Sequence, residues 1–397
     1  MNKINLQYGY KMNHKKHFFI IGGGSLQADL VKTAKKEFIT HVFDHDENCF
    51  CKNLGDYFHL ISIANKEQIL KLAQEYKIVG IATAATELGN LTACYVGEKL
   101  NLGTNSYECA KNTTDKSLMK KIFEKYNIGH AKYFLLKDEK DLEQIKEFPV
   151  VIKPSDRSAG RGVVKISSKK DLLTSYKIAK ELSYNKIVLA EEVLEGRQFS
   201  VETISSHGKH QIVAITEEYI REGEFADDFL ETQQLIPARI SSNEEENIKT
   251  TILKTLDAFN ICFGACHIEI KLYNNIVKII EIASRMGGWR DVLIKNSYEI
   301  DYLQLLIQSS LKEKLPTLKQ KVKNFCLVKM IFTKEDYAFY TKIKSFHPKL
   351  IVKEEIHSNN VENFNYSSSL MDSKGYYYIK LSLNGNIDHF ICNFISF

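Results

Sequence analysis

The chain has 397 residues, 44% of them hydrophobic, and its 54 basic and 49 acidic residues leave a formal net charge of +5. This length supports two or three domains with ordinary hydrophobic cores, and the near balance of charges gives no focused positive field, so we expect no nucleic-acid partner. Since no apolar run approaches the roughly 18 residues of a membrane span and residues 1–17 lack the apolar core of a signal peptide, we expect no membrane partner and a cytoplasmic protein.

The first predicted elements are a strand, a glycine turn and a helix. Phe18–Ile21 is a short apolar run, Gly22–Ser25 forms the turn, and Leu26–Lys36 has helical spacing. Gln27 stands where a dinucleotide-binding fingerprint has its third glycine, so that interpretation is weak. We expect a turn that faces a ligand at the carboxyl end of the strand, with a tight turn that binds nothing as the alternative.

The alternation of strands and helices continues to residue 100. A strand at His41–Phe43 ends at Asp44, and a helix near Lys66–Tyr76, a strand at Ile78–Ala82 and a helix from Thr86 to Leu100 follow. Such alternation is typical of a doubly wound parallel sheet of the α/β class.

A capping segment at residues 112–116 begins the next helix, which we expect to end at Tyr126. We place the first domain boundary here. Lys116 stands at the start of this helix, where the helix dipole disfavours a cation. This conflict indicates an anionic ligand nearby, with an ordinary surface lysine as the alternative.

A buried strand at Pro149–Pro154 carries Lys153 and leads into the small-residue loop 155–164. Glycines in such a loop let backbone N–H groups approach phosphate oxygens closely. The loop lacks the Gly-Lys-Ser/Thr ending of a P-loop, and the other protein-kinase motifs are absent, so both of those classes are disfavoured. The alternative is a plain hairpin turn.

The segment Ile187–Glu202 predicts an apolar strand, a short connector and an alternating strand. Backbone groups of such a connector can hydrogen-bond the edge of an adenine. Taken alone, the connector is only the exit of a strand.

Two strands joined at Asn274–Asn275 are predicted within Gly264–Trp289. The second strand places a set of alternate residues on one side: Val277, Ile279, Glu281, Ala283 and Arg285. Because side-chain direction alternates, Glu269 and Glu281 share a side if the connection holds an odd number of residues, such as 274–276. We therefore expect Glu269 to lie opposite Glu281.

Two facing carboxylates repel each other unless a cation lies between them, and hard oxygen ligands suit Mg²⁺. The alternative is a solvated strand face. Cys266 and His267 are strand neighbours that point to opposite faces, which argues against a zinc site with Cys262. We expect the eight cysteines to be free thiols, since none forms a Cys-x-x-Cys pair.

The charged segment Glu217–Arg239, which contains Arg221, Asp227 and Asp228, is expected to lie near a substrate site. After Pro316 the composition changes, and strands rich in tyrosine and phenylalanine are predicted. These strands are Phe325–Phe332, Leu350–Ile356 and Tyr376–Leu383. We expect this last segment to be scaffold or a homodimer surface.

Several of these features occur together in an order and spacing that resembles the ATP-grasp superfamily. They are Lys116, the Lys153 strand, the glycine loop, the Glu191 connector, Glu269, and Glu281 with Arg285. Their joint occurrence is more specific than any single feature, and the likeness extends over residues 18 to about 315. Among subfamilies the chain is similar to carboxylate-amine ligases related to biotin carboxylase, carbamoyl-phosphate synthetase and bacterial amino acid ligases.

The resemblance implies a site for ATP. Lys116 and Lys153 would contact the phosphates. A lid closing over them would include Gly160, Arg161 and Gly162. The adenine would be lined by Glu191, Glu192 and Leu194. Gln198 stands where the family often has a glutamate on the ribose, a departure that weakens this contact.

The resemblance also implies a metal and a catalytic arginine. Glu269 and Glu281 would hold Mg²⁺, with Mn²⁺ as an alternative. Arg285, together with Lys153, would stabilise the transferred phosphoryl group or an acyl-phosphate. Ala283 replaces the metal-binding asparagine of many members, so a third protein ligand is not expected.

The implied architecture has three parts. Residues 1–111 would form the N-terminal sheet domain, residues 112–315 an ATP-grasp domain with a lid at about 130–190, and residues 316–397 a β-rich domain. The implied reaction joins a small carboxylate to an amine through an acyl-phosphate, releasing ADP and phosphate. The alternatives are a carboxylase or formyl-transferring enzyme of nucleotide metabolism, and a nucleotide-binding regulator without turnover.

Overall fold

The computed structural model describes residues 15–221, 229–357 and 370–383. Within those ranges, no helix combines the length and the apolar character needed to cross a membrane. Asp227 and Asp228 lie outside the described residues, as does Cys392.

The N-terminal part is a four-stranded parallel sheet with helices on both faces, as predicted. Its strands are β1 (His17–Ile21), β2 (Ile39–Asp44), β3 (Tyr57–Leu60) and β4 (Gly80–Ala82), in the order β3-β2-β1-β4. Its helices are α1 (Ala28–Lys35), α2 (Lys66–Tyr76) and α3 (Glu87–Lys99). Phe18 and Ile20 of β1 pack with α1, whereas Phe19 and Ile21 pack with α2 and α3, because alternate residues of a strand point to opposite faces.

Two helices connect this sheet to the rest of the chain. They are α4 (Tyr107–Asn112) and α5 (Lys116–Lys125). Asp115 caps α5, since its carboxylate accepts hydrogen bonds from the backbone N–H of Ser117 at 2.7 Å and of Leu118 at 3.4 Å. The cap therefore places Lys116 at the first position of the helix, as predicted.

A second, antiparallel sheet of four strands follows, and we call it the small sheet. Its strands are β5 (Tyr133–Leu136), β6 (Val150–Pro154), β7 (Val164–Ile166) and β8 (Val188–Glu192), in the order β5-β8-β6-β7. Helix α6 (Leu172–Leu182) covers one face, where Leu172 and Tyr176 pack against Ile152 and Val188.

The third sheet, which we call the large sheet, has eight strands among the described residues. Its strands are β9 (Arg197–Ser206), β10 (Lys209–Ile220), β11 (Glu231–Ile236), β12 (Gly264–Tyr273), β13 (Ile276–Ala283), β14 (Asn324–Met330), β15 (Ile351–Ile356) and β16 (Gly375–Ser382). Their order is β13-β12-β9-β10-β11-β14-β16-β15. The remaining helices are α7 (Ser242–Ala258), α8 (Arg290–Tyr298), α9 (Tyr302–Ser310) and α10 (Lys334–Phe346).

The three strands predicted after Pro316 are confirmed as β14, β15 and β16, and they continue the large sheet. Strand β14 pairs with β11 through Gln233 opposite Lys329 and Ile236 opposite Cys326. The domain limits proposed from the sequence stay predictions. Helix α10 and strand β3 were not predicted, although Thr333 and Asp336 form a capping box that marks the start of α10.

Candidate functional site

The β12–β13 hairpin brings Glu269 opposite Glu281, which confirms that prediction. The predicted odd-numbered connection is wrong. The turn holds only Asn274 and Asn275, whose φ values of 47° and 65° suit a tight two-residue hairpin turn. An even connection alone would have placed the two glutamates on opposite faces.

A β-bulge at Ile280 restores the facing arrangement. The register shifts between the pair formed by Ile279 and the pair formed by Glu281, so Ile280 is the extra residue of β13. The prediction that alternate residues from 277 to 285 share one side is therefore wrong. Val277 and Ile279 pack into the core, whereas Glu281 lines a cavity together with Glu269.

The two carboxylates have different electrostatic environments. Burial alone raises the pKa of Glu281, but the ammonium of Lys116, 2.9 Å from its Oε2, lowers that pKa to about 2. Burial, followed by repulsion from Glu281, raises the pKa of Glu269. One carboxylate is thus paired with a lysine, while the other lacks a lysine partner within the described residues.

Lys153 of the small sheet belongs to a buried cluster of three charges. Its Nζ lies 2.8 Å from Glu191 Oε2, and Nζ of Lys120 lies 3.0 Å from Glu191 Oε1. Burial raises the pKa of Glu191, but the two ammonium groups lower it below its usual value. Lys120 was not predicted as a site residue; it lies four residues after Lys116 and therefore on the same face of α5.

The glycine loop connects β6 to β7 and lies over α5. Lys116 Nζ donates a hydrogen bond to the backbone carbonyl of Arg157 at 2.8 Å. Gly160 and Gly162 have φ of +72° and +75°, which favours glycine, and Gly160 lines the cavity. Arg161 is exposed and its Nε donates to Ser158 O at 3.1 Å. Of the predicted lid residues, the structure brings Gly160 to the cavity and leaves Arg161 at the surface.

The connector after β8 also reaches the cavity. Glu192, Leu194 and Gln198 line it. Their expected contacts with an adenine and a ribose stay predictions. Glu192 is paired with Lys278 at 2.6 Å, and Gln198 Nε2 donates to Glu218 Oε2 at 3.0 Å. The carboxylate of Glu191 is held by the two lysines, and the backbone N–H of Glu192 donates to Lys132 O at 3.0 Å.

The cavity lies between the small and large sheets and has a volume of about 180 Å³. It collects most of the predicted site residues. Lining residues include Lys116, Lys153, Gly160, Glu191, Glu192, Leu194, Gln198, Glu269 and Glu281. Cationic side chains and carboxylates from four separate stretches of the chain thus face one space.

Arg285 lies apart from the described lining of this cavity. Its Nε donates to Glu87 Oε1 at 2.9 Å, and its Nη2 also contacts that oxygen. Glu87 is at the start of α3, so this ion pair joins the N-terminal sheet region to the end of β13. A smaller pocket beside it is lined by Glu87, Lys116 and Glu281. Lys116 and Glu281 line both this pocket and the cavity, and Arg285 is paired with Glu87, which lines the pocket.

A second charged cluster forms the floor of the site and was not predicted. Arg290 lies 2.6 Å from Glu218, 3.5 Å from Glu231 and 3.6 Å from Glu202. His267 Nδ1 is hydrogen-bonded to Glu202 Oε1, and its Nε2 lies 3.4 Å from Glu269. Glu202, Glu218 and His267 lie on β9, β10 and β12, whereas Glu231 begins β11 and Arg290 begins α8. A charged residue in a strand is commonly solvated. No local signal distinguished them, because their burial depends on how the sheets meet.

Three other predictions concern the Cys266–His267 pair, the segment Glu217–Arg239 and the glycine turn after β1. The first is confirmed, and the other two stay predictions. Cys266 lies in the core and His267 points to Glu202, so the expected opposite faces are confirmed. Glu217 pairs with Arg239 at 2.7 Å in the segment expected near a substrate. Gly23 lies two residues after β1, and a Cβ there would lie 2.5 Å from Cys49 Sγ, so a larger residue would have to displace that thiol. Whether that turn faces a ligand stays a prediction.

Comparison with known proteins agrees with this geometry. Residues 146–292 match the ATP-grasp domain family. The chain is 24% identical over 270 residues to the carbamoyl phosphate synthase large chain of Thermoanaerobacter sp. (strain X514), an alignment that covers 67% of this chain and 24% of that protein. The chain thus spans about a quarter of the length of that relative.

Two solved structures resemble nearly the whole chain. An L-amino acid ligase from Bacillus licheniformis has a TM-score of 0.78 at 17% identity, covering 95% of this chain and 96% of that one. An N5-carboxyaminoimidazole synthetase from Staphylococcus aureus complexed with ADP has a TM-score of 0.75 at 18% identity, covering 95% and 96%. These likenesses show a shared fold.

Proposed function

We propose that the protein is an ATP- and Mg²⁺-dependent ligase, on the premise that residues 146–292 match the ATP-grasp domain family. It would activate a small carboxylate as an acyl-phosphate and join it to an amine, releasing ADP and phosphate. Amino acid ligation is the activity named for one of the structures that the chain resembles.

One observation carries the proposal: two lysines and two facing carboxylates line the same cavity. Lys116 and Lys153 provide positive charge for phosphate oxygens, and Glu269 and Glu281 provide hard oxygen ligands. Phosphoryl transfer requires positioning and charge neutralisation more than a covalent enzyme group. The cavity therefore contains the groups that such a transfer needs.

The residues fit a divalent cation. Glu269 has a raised pKa because it is buried and faces Glu281, a cost that a cation between the two carboxylates would remove. The described residues hold no cluster of three or more His, Cys, Asp or Glu suited to a metal. Mg²⁺ commonly has few protein ligands and shares its remaining positions with phosphates and waters. When bound, Mg²⁺, or Mn²⁺ in its place, would neutralise phosphate charge.

In the proposed reaction, a carboxylate oxygen of the substrate attacks the γ-phosphorus of ATP and the bond to the ADP oxygen breaks. The amine nitrogen then attacks the acyl carbon, phosphate leaves, and the amine loses a proton. Lys153 would stabilise the charge on the transferred group, and Arg285, oriented by Glu87, would bind the phosphate or the substrate carboxylate.

The nucleotide would lie along the connector and under the glycine loop. Backbone groups near Glu192 and Leu194 would meet the adenine, and Gln198 would lie near the ribose. The loop with Gly160, Arg161 and Gly162 would close over the phosphates and exclude water that would hydrolyse the acyl-phosphate.

A carboxyl group in the cavity provides a contact for the amine substrate. Glu231 lines the cavity, and burial, followed by repulsion from Glu218, raises its pKa well above the usual value. The raised pKa favours the neutral acid, and a cationic ammonium beside Glu231 would favour its ionised form. The carboxylase, the formyl-transferring enzyme and the regulator without turnover are the alternatives.

The remaining features of the proposal concern the whole protein. The domains would be residues 1–111, 112–315 and 316–397, with the lid at about 130–190. We propose a cytoplasmic location, small-molecule substrates, and scaffold or homodimer contacts for the last segment.

The test is release of ADP by the whole chain with ATP and Mg²⁺. Mixtures of amino acids and other small acids would be added with and without an amine, and a bicarbonate arm would be run in parallel. We expect ADP only when both an acid and an amine are present. ADP formation that depends on bicarbonate would favour the carboxylase, and binding of ADP without turnover under every mixture would favour the regulator.

A further inference from the structure

Lys120 is a buried cation that the proposed mechanism leaves without a role. Its side chain is 1% exposed, and it lies on α5 outside the described lining of the cavity. Burying an ammonium is costly unless a partner compensates it. Its only ion pair among the described residues is with Glu191, so its role must be sought there.

Glu191 connects Lys120 to Lys153, one carboxylate oxygen to each. The distances are 3.0 Å to Lys120 and 2.8 Å to Lys153, and the carboxylate is 6% exposed. Because Glu191 belongs to β8 and Lys153 to the neighbouring strand β6, their pairing lies within the small sheet. Lys120 reaches this pair from the helix that also carries Lys116.

The charge of the cluster follows from its composition. A single Glu191–Lys153 pair has no net charge, so Glu191 would cancel much of the attraction of Lys153 for phosphate. Burial lowers the pKa of Lys120, as does Lys153, and the Glu191 carboxylate 3.0 Å away opposes that shift. With Lys120 charged, two cations face one carboxylate and one unit of positive charge remains. Of these three residues, Lys153 and Glu191 line the cavity and Lys120 does not. The remaining positive charge therefore faces the cavity through Lys153.

We propose that Lys120 is a positioning residue that neutralises Glu191 and thereby leaves Lys153 charged and oriented toward the nucleotide phosphates. The inference rests on the proposed nucleotide site. The rings around Lys120 suit a cation: its Nζ lies 5.8 Å from the ring centroid of Phe123 and 6.0 Å from that of Tyr133, at the limit of cation–π attraction.

The alternative is that Lys120 only attaches α5 to the small sheet. Other contacts already make that attachment, since the backbone N–H of Lys116 donates to Ser155 O at 2.8 Å and Asn185 Nδ2 donates to Asp115 at 2.8 Å. A purely structural lysine would affect the binding of every ligand in the cavity. A lysine that acts through charge would affect only ligands with phosphates.

The experiment measures calorimetric affinities of adenosine and of ADP with Mg²⁺ for the whole chain and four variants. The variants are Lys120→Met, Lys120→Arg, the double change Lys120→Met with Glu191→Gln, and Lys121→Met as an exposed control on the same helix. Methionine suits the apolar surroundings, and thermal unfolding checks that each variant is folded.

We expect Lys120→Met to weaken ADP by about tenfold or more, as removal of a nearby charge in a partly buried site would, while adenosine affinity changes less than about twofold. Lys120→Arg should retain ADP affinity. In the double variant, the ratio of ADP affinity to adenosine affinity should return close to that of the parent. The reason is that Glu191→Gln also removes the negative charge that Lys120 neutralised. Lys121→Met should match the parent.

Several results would overturn the inference. One is a parallel loss of adenosine and ADP affinity in Lys120→Met, which indicates a structural role. Another is a double variant no better than the single one. If the parent bound neither adenosine nor ADP, the proposed nucleotide site and this inference would both fall. Normal binding by Lys120→Met would remove the inference alone.

Discussion

The N-terminal sheet and the cavity treat buried ionisable side chains in opposite ways. In the sheet, His41 is completely buried between His17 and His59, and its ring nitrogens lie 2.8 Å and 2.9 Å from theirs. Burial and the neighbouring histidines lower the pKa of His41 to about 3, so it stays neutral. In the cavity floor, burial alone would lower the pKa of His267, but Glu202 raises it to about 10.

The difference reflects the partners that each region supplies. The sheet surrounds its histidines with one another and with rings such as Tyr76, which stabilise neutral imidazoles. The cavity supplies an opposite charge for most buried ionised groups, as in Lys116 with Glu281 and Arg290 with Glu218. A site that binds charged substrates must retain charge after desolvation, which requires fixed counter-ions.

The largest expected effect comes from removing a counter-ion in the cavity floor. Arg290→Met should lower the free energy of unfolding by about 3–5 kcal/mol, because Glu218 would be left buried without its cation and Glu202 would keep only His267. Urea denaturation measures this change. Lys295→Met, an exposed change on the same helix, is the control and should have little effect. A loss below 1 kcal/mol for Arg290→Met would contradict the role of compensation.

Lys153→Met tests whether a positive charge in the cavity accelerates phosphoryl transfer. We expect single-turnover formation of ADP to slow by about 10²- to 10³-fold, as when one preorganised electrostatic donor is removed. Adenosine affinity should barely change, because the connector holds the base independently of the phosphates. An unchanged single-turnover rate would remove Lys153 from the phosphate site, and a parallel loss of thermal stability and adenosine affinity would indicate a structural lysine.

Glu281→Gln preserves side-chain volume and removes one charge. It should keep the fold and lower ATP turnover by more than about tenfold at any Mg²⁺ concentration, because a carboxamide is a weaker metal ligand than a carboxylate. Steady-state ADP release across a Mg²⁺ titration measures this. Glu246→Gln, exposed on α7, is the control. Turnover within threefold of the parent would exclude Glu281 from the site.

The two histidines predict pH dependences of opposite sign. His41 has a folded-state pKa below its unfolded value near 6.5, so its stabilising contribution is present above 6.5 and is lost as pH falls toward about 3. His267 has a raised folded-state pKa, so its contribution is complete below 6.5 and is lost as pH rises toward about 10. Each should change the free energy of unfolding by about 1 kcal/mol per pH unit within its window.

Unfolding in urea from pH 5 to 9 would measure both slopes, each by comparison with its variant. His41→Asn should flatten the acid side of the profile only, and His267→Gln the alkaline side only. If either variant flattened both sides, or if the parent gained stability on acidification below 6, the assigned protonation states would be wrong.

Much of the fold and site could be predicted from local patterns. The alternating strands and helices from residue 18 to 100 identified the parallel sheet, because hydrophobic periodicity is written in neighbouring residues. The cap at Asp115, the strand of Lys153 and the small-residue loop were also local signals. Each gave the residue type and the element that carries it, and these elements are present in the structure.

Pairing between distant segments could not be predicted in the same way. Glu87 and Arg285 are nearly two hundred residues apart and form an ion pair because α3 meets the end of β13. Lys120 resembles any helix lysine until β8 brings Glu191 to it. The partner of a charge depends on how sheets pack, and sequence periodicity contains no record of that.

The sequence by itself determined which side chains were available to the cavity, their order along the chain, and that Glu269 and Glu281 belong to neighbouring strands. Only the tertiary structure decided how those two carboxylates come to face each other. With the two-residue turn alone, Glu281 would point to the face opposite that of Glu269. The extra residue at the Ile280 bulge turns Glu281 to the same face. Side-chain direction alternates along a strand, so one extra residue in the hydrogen-bond register, which depends on pairing across the sheet, determines the face on which Glu281 lies.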